Sequence, residues 1–401
     1  MSQGSAPFRL RQVALSAYAP TVVNAIGHGA VTPMLALRAT DLGAGVSTAA
    51  LVVALLGVGQ LLASLPAGAL VARVGERRSM VAAGLVDVAA MSAAALSTSV
   101  TALAAAVVVS GMTWTVFLLA RQQFMIEAVP VTHRARAMSA LGGSHRIGLF
   151  IGPLLGAVVV SRTGVHGVFW LGAAASLTAA AIAWGMPDPG AGSRSAQAAR
   201  GHLSVREVLR RHRGVLVGLG SVVVVISASR SLRTVLLPLW AESIGMTPEQ
   251  TSLVFGAAAA VDMVLFHPAG WLMDHRGRAV VAVPVVGAVA VGSLVLPLTG
   301  DVGGVALVAV LMAVGNGLGA GIVMTLGADA APVEGRAQFL GAWRLAGDVG
   351  ASGGPVLLSA LLAWVPLAVG CLVVGVLGLA GAGWTGLRTA RVDAARRGAS
   401  R

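Results

Sequence analysis

Long apolar stretches alternate with short polar ones along the whole chain. Apolar segments fall at 12–37, 48–71, 79–98, 101–125, 138–161, 165–186, 215–240, 251–273, 279–299, 303–326, 339–361 and 365–387. Each is long enough to cross a hydrocarbon core, which takes about 20 helical residues. Lipid offers backbone N–H and C=O groups no partner, so such segments satisfy their own backbone and form helices. The expected fold class is an all-α membrane protein with twelve transmembrane helices. The one long polar stretch divides the chain into an amino-terminal half (1–186), a central linker (187–213), a carboxy-terminal half (214–390) and a basic cytoplasmic tail (391–401). Leu203 to Arg213 reads as an amphipathic surface helix, with Val205, Val208 and Leu209 toward lipid and Arg206, Arg210, Arg211 and Arg213 around them. The first apolar stretch runs into a full span without a small-residue cleavage site, so no removable signal peptide is expected.

Composition sharpens this picture. Of 401 residues, 56% are apolar and 11% charged, and the 53 glycines suit helices whose backbones approach closely in lipid. All 28 basic residues are Arg, and the formal charge of +13 would by itself suit a nucleic-acid partner. The Arg positions argue otherwise. With the N-terminus inside, nearly every loop Arg falls on the cytoplasmic side, and only Arg38 and Arg162 fall outside. This bias predicts a multi-pass inner-membrane protein with both termini cytoplasmic and no nucleic-acid partner. The single Cys371 excludes a disulfide within the chain.

A shift of 202 positions aligns the two halves without a gap. Pro66, Ala67 and Gly68 fall on Pro268, Ala269 and Gly270. Ala128, Pro130, Val131 and Arg134 fall on Ala330, Pro332, Val333 and Arg336. Gly148, Gly152 and Pro153 fall on Gly350, Gly354 and Pro355. With an even number of spans in each half, the repeats run parallel, related by an axis along the membrane normal.

The loop after span two reads Gly68-Ala-Leu-Val-Ala-Arg73-Val-Gly75-Glu76-Arg77-Arg78, and the loop after span eight reads Gly270-Trp-Leu-Met-Asp274-His275-Arg276-Gly277-Arg278. Span five carries Gly148-Leu-Phe-Ile-Gly152-Pro153-Leu-Leu-Gly156-Ala157. With its six-helix halves and basic central loop, the chain resembles the major facilitator superfamily over nearly its whole length. The loops are similar to that superfamily's G-x-L-x-D-R-x-G-R-R motif, although Ala72 replaces the first Asp. Span five is similar to the G-x-x-x-G-P-x-x-G-G motif of the drug/proton antiporter branch. The resemblance implies a solute site near mid-membrane between the halves, opened in turn to each side. It also implies a loop latch, with Glu127 and Asp329 as partners of Arg77 and Arg278; a solvated charge pair is the plain alternative. Generic small-residue packing is the alternative for span five.

Ionisable residues within spans are expensive and mark function. In this fold span five packs on span eight, and span two on span eleven. Arg146 and Asp262 lie at matching depths, which predicts an ion pair between the halves. Gln60 is expected to face Asp348, with Arg344 one turn before it. Asp87 and Arg121 sit at comparable depths and are expected to pair within the amino-terminal half. Spans one, four, seven and ten line the pathway in the family, which makes Asn24, His28, Trp114, Arg230, Arg233 and Asn316 the cavity candidates. The two span-seven guanidiniums have no evident partner on these spans and suit an anionic solute; His28 is a candidate for proton coupling.

No G-x-x-x-x-G-K-[ST], H-E-x-x-H or G-x-S-x-G motif appears, and no dense metal-ligand cluster, so neither an enzyme nor a cofactor is expected. The leading expectation is a monomeric, proton-coupled secondary transporter of a small organic solute, exporting by antiport. The alternatives are an uptake symporter for an organic anion or metabolite and a non-transporting membrane sensor.

Overall fold

The computed structural model describes residues 10–129, 131–186, 210–319, 321–332 and 336–399. Among them there is no strand. In chain order the helices are α1 (Leu10–Val31), α2 (Met34–Asp41), α3 (Val46–Val74), α4 (Glu76–Leu96), α5 (Val100–Ala128), α6 (Val131–Thr163) and α7 (Gly167–Trp184). After the linker come α8 (Arg213–Ser243), α9 (Pro248–Arg276), α10 (Ala279–Val295), α11 (Val302–Leu318), α12 (Ile322–Ala330), α13 (Arg336–Leu362) and α14 (Leu367–Ala399). Among the described residues ten helical segments are long and apolar enough to cross a membrane, and α9 carries Asp262 mid-length.

Several sequence expectations change. The first span breaks at Pro33, which has no backbone N–H to continue the helix; just before it the Thr32 backbone N–H and hydroxyl both donate to the His28 carbonyl, at 2.9 and 2.7 Å. The expected tenth span, 303–326, is two helices, α11 and α12, separated around Gly319 and Gly321, the latter at φ 87°. The expected tail is largely helix, because α14 continues as far as Ala399. The linker and most of its amphipathic helix lie outside the described residues.

The glycines explain how the bundle closes. In the amino-terminal half α6 packs on α1, and in the carboxy-terminal half α13 packs on α8. A Cβ at Gly148 would lie 2.5 Å from the Val22 carbonyl oxygen, and one at Gly152 would lie 2.5 Å from that of Ile26. Their counterparts do the same: a Cβ at Gly350 would run into the Val224 carbonyl, and one at Gly354 would meet Ala228 at 3.1 Å. The span-five motif is thus a contact surface used in both halves. The halves meet where α6 packs on α9 and α3 on α13, as the resemblance to the superfamily implied.

The two ends of the bundle differ. At the end opposite the chain termini, one apolar core takes residues from both halves, among them Leu35, Ala50, Leu237 and Leu358. Ser47 and Ser359 there exchange hydroxyl-to-carbonyl hydrogen bonds at 2.8 Å, tying α3 to α13. At the terminal end each half keeps its own core, one around Phe117, Phe124 and Met186, the other around Ile226, Phe339 and Trp343. The halves thus share buried apolar packing at the end opposite the termini and keep separate cores at the terminal end. Leu62, Val264, Leu357 and Trp364 are exposed around the outside, as lipid-facing positions should be.

The matching loops of the repeat keep the same backbone. Gly75 and Gly277 sit at φ 96° and 95°, a region that disfavours a Cβ, which accounts for the glycine in both motifs. In the carboxy-terminal loop Asp393, from the end of α14, accepts the Arg278 and Ala279 backbone N–H groups at 2.9 and 3.0 Å. It caps the N-terminus of α10 with a negative charge, where a helix favours one. Arg278 also pairs with Asp329 at 3.0 Å and donates to the Met273 carbonyl. On the other side Arg77 donates to the Met186 carbonyl at 3.1 Å, and Arg73 is exposed. The Glu127 and Asp274 side chains lie outside the described residues.

Two outcomes follow from this packing, both read by thermal unfolding of detergent-purified protein. Gly152→Val and Gly350→Val each lower the midpoint by the equivalent of about 1–3 kcal/mol of overpacking. Gly142→Ala, with open space around it, does not; equal melting of all three would show that close approach matters at neither helix pair. Asp393→Ala costs about 1 kcal/mol by freeing the helix N–H groups it caps, and an unchanged midpoint would show the cap adds nothing.

Candidate functional site

Polar side chains inside the bundle gather into two centres. The first lies in the carboxy-terminal half. Arg233 on α8 pairs with Asp262 on α9, Nη2 to Oδ2 at 3.2 Å, and Asn316 Nδ2 on α11 donates to the same oxygen at 2.9 Å. Both charged side chains are nearly buried, at 13% and 14% exposure. The second carboxylate oxygen, Asp262 Oδ1, has no hydrogen-bond partner among the described residues, and neither does Arg233 Nη1. One turn before Arg233, Arg230 Nη2 donates to the Gly319 carbonyl at 2.6 Å. That carbonyl belongs to the break between α11 and α12. A helix interrupted within a bundle leaves backbone groups that need partners, and the Arg230 guanidinium supplies one.

Arg146 reaches toward this centre from α6 of the other half, close enough for its charge and that of Asp262 to act on each other. Asp262 thus pairs with Arg233 of its own half, and its expected partner Arg146 faces the pair from across the interface. The guanidiniums of span seven, expected to lack a partner, turn inward and find Asp262 and the Gly319 carbonyl. The signal was available in the sequence: Arg230 and Arg233 share one helix face, and the helix next along the chain supplies the carboxylate.

The second centre lies within the amino-terminal half. Asp87 on α4 is 2% exposed. Thr113 Oγ1 on α5 donates to its Oδ1 at 2.9 Å, and Ser176 Oγ on α7 donates to its Oδ2 at 2.6 Å. His28 Nε2 on α1 lies 3.5 Å from Oδ2, at ion-pair distance but beyond good hydrogen-bond geometry. The His28 ring rests against Trp114, with centroids 3.8 Å apart, and the His145 ring on α6 also neighbours Trp114, at 5.5 Å. The expected Asp87–Arg121 pair does not form. A Cβ at Gly84, one turn before Asp87, would lie 2.8 Å from the Ala180 Cβ, so α4 seats on α7 there and turns Asp87 toward Ser176. Arg121 Nε has no hydrogen-bond partner among the described residues. Asn24 and His28, expected to line the pathway, are buried in this half, grouped with Asp87 and Trp114.

Between the halves, Ser64 Oγ on α3 lies 2.7 Å from Asp348 Oδ2 on α13 and 2.8 Å from the Gln60 carbonyl oxygen. Asp348 thus meets α3 one turn beyond Gln60, and Arg344 is exposed on the turn before Asp348. Among the described residues no group of three or more His, Cys, Asp or Glu is placed to hold a metal.

Solved structures share this architecture. A POT family transporter in complex with 5-aminolevulinic acid matches with TM-score 0.78 at 12% identity, over 98% of this chain and 99% of that one. A POT family transporter in complex with a thioalcohol-conjugated peptide matches with TM-score 0.77 at 11% identity, over 93% and 94%. A D-xylose–proton symporter matches with TM-score 0.71 at 14% identity, over 93% and 97%. At such identities the likeness is one of fold. A comparison with curated protein sequences gives no match. The family model of the Major Facilitator Superfamily matches residues 20–355, most of the chain. The chain is a multi-pass membrane transporter and belongs to the Major Facilitator Superfamily.

Proposed function

We propose that this secondary transporter carries a small organic anion across the inner membrane by alternating access, with protons moving together with the anion. In this reading the chain crosses the bilayer twelve times, both termini are cytoplasmic, and the cleft between the halves opens to the cytoplasm. The observation that carries the proposal is the centre at Asp262: one carboxylate set among Arg233, Arg230 and, from the opposing half, Arg146.

The chemistry follows from charge matching. A guanidinium in a low-dielectric cleft needs a counter-ion, and Asp262 provides it when no solute is bound. Protonation of Asp262 releases Arg233, and a solute carboxylate or similar anion takes the vacated place. Proton and anion then favour each other's binding, because each relieves the charge the other leaves. Cytoplasmic release runs the sequence backward: the anion leaves, Asp262 loses its proton to the cleft, and the ion pair re-forms.

A second reading, export by exchange with protons, is favoured by the Gly148-x-x-x-Gly152-Pro153-x-x-Gly156 motif. Its glycines pack α6 on α1 just as Gly350 and Gly354 pack α13 on α8, so the motif speaks more to helix packing than to direction. The direction test is counterflow of radiolabelled organic anions in oriented vesicles, with the proton gradient imposed each way. Accumulation on the side to which protons flow supports symport, and accumulation against proton flow supports exchange.

In the same vesicles Asp262→Asn loses gradient-driven accumulation by about tenfold or more while downhill exchange continues, since the neutral side chain mimics the protonated state. Full gradient-driven accumulation by that variant would remove Asp262 from coupling. Arg233→Gln weakens half-saturation by the anion about tenfold or more, the worth of one charge-assisted contact; an unchanged value would place the anion elsewhere.

A further inference from the structure

The amino-terminal centre has no part in the charge exchange at Asp262, yet it buries a carboxylate and an imidazole side by side. We propose that His28 and Asp87 form a proton-binding site inside the amino-terminal half, separate from the solute centre, in which the imidazole takes up a proton against the buried carboxylate.

Geometry carries the inference. Asp87 is fixed by donors from two different helices, Thr113 Oγ1 and Ser176 Oγ, and neither is cationic. Among the described residues the one ionisable group at ion-pair distance is His28, at 3.5 Å. Two hydroxyl donors offset part of the cost of a buried carboxylate, but its full charge still lacks a counter-ion unless His28 is protonated. The imidazole Nε2 faces Asp87 without a hydrogen bond, as suits an edge that gains one when a proton arrives. The charged groups on neighbouring helices point the same way. From α6 come His145 and Arg146, from α5 Arg121, and from α7 only the Ser176 hydroxyl; the charges of α2, Arg38 and Asp41, and Arg73 of α3 sit near helix ends. Asp87 is thus a buried carboxylate with the His28 imidazole beside it.

His28 shares narrow packing gaps with Thr32 and Ser110 and with Asn24 and Asp87, each too small to hold more than about one water. Its ring lies on Trp114, which touches His145, the immediate neighbour of Arg146 on α6. A charge appearing on His28 is thereby one aromatic layer from the helix that faces Asp262.

Trp114 also supplies the measurement. A protonated imidazole quenches an indole in contact with it more strongly than a neutral one. The experiment titrates the tryptophan emission of the full chain in vesicles between about pH 4 and 9, the range in which a histidine pair of this kind changes charge. Subtracting the Trp114→Phe curve isolates Trp114 from the other tryptophans, including Trp271, which stacks on His275. The difference signal is expected to fall on acidification in a one-proton step. The step disappears in His28→Gln and persists in His145→Gln. In Asp87→Asn it moves by about one pH unit or more toward acid, because the carboxylate that favours imidazolium is gone. A pH-independent difference signal in the unmutated protein overturns the proposal, as does a step that survives His28→Gln or one that Asp87→Asn leaves in place. The unmutated, Trp114→Phe and His28→Gln curves decide the matter even if Asp87→Asn does not fold. No solute or gradient is needed, so the result stands whatever becomes of the transport reading.

Discussion

A charge inside hydrocarbon must find its counter-charge within a few ångströms, and the interior of this protein is arranged around that constraint. Taking an ion out of water costs several kcal/mol even after relaxation, and leaving it unpaired costs more than the pair returns. The bundle meets the constraint by different means at three places. At Asp262 a carboxylate is set against guanidiniums, at Asp87 against hydroxyls and an imidazole, and at Asp348 against a hydroxyl on the opposing half. Each arrangement leaves a different amount of charge unbalanced. Guanidiniums outnumber carboxylates at the first, which favours an anionic visitor; the second is short of a positive charge, which favours a proton.

The scaffold makes these centres addressable. Glycines on α6 and α13 bring those helices against α1 and α8, so residues on the α6–α9 seam are held to the spacing of closely packed backbones. The break between α11 and α12 exposes the Gly319 carbonyl, and Arg230 is committed to it, which keeps the span-seven guanidinium row facing inward. The halves share apolar packing at one end only, so a rocking motion has a hinge region to work about and a free end to close. Small changes in the charge balance on the seam can then bias which end is shut.

Much of this was legible in the sequence because periodicity and repetition are one-dimensional signals. The apolar segments, the gapless offset between the halves and the paired glycines at 75 and 277 follow from them, and the α6–α9 and α3–α13 seams from the resemblance to the superfamily. What was not legible is rotation about a helix axis. Asp87 and Arg121 share a depth, yet Gly84 turns α4 onto α7 and sends Asp87 to Ser176 and His28 instead. Asp262 was matched by depth to Arg146, which does face it, but its pairing with Arg233 of the neighbouring α8 was not foreseen. The helix break at Gly319 to Gly321 hides among ordinary small residues, because many glycines in this chain serve packing and only a few reverse φ. Asp393 was missed because it sits in a run of arginines that reads as a solvated tail.

The central claim is that Arg233 and Asp262 hold each other's charge inside the membrane. A double-mutant cycle on thermal unfolding, using Arg233→Gln, Asp262→Asn and the combination, tests it directly. The account predicts that each single change strands a charge and that the doubly neutral protein recovers much of the loss, a coupling on the order of 1–3 kcal/mol. Losses that simply add, within about 0.5 kcal/mol, would contradict it.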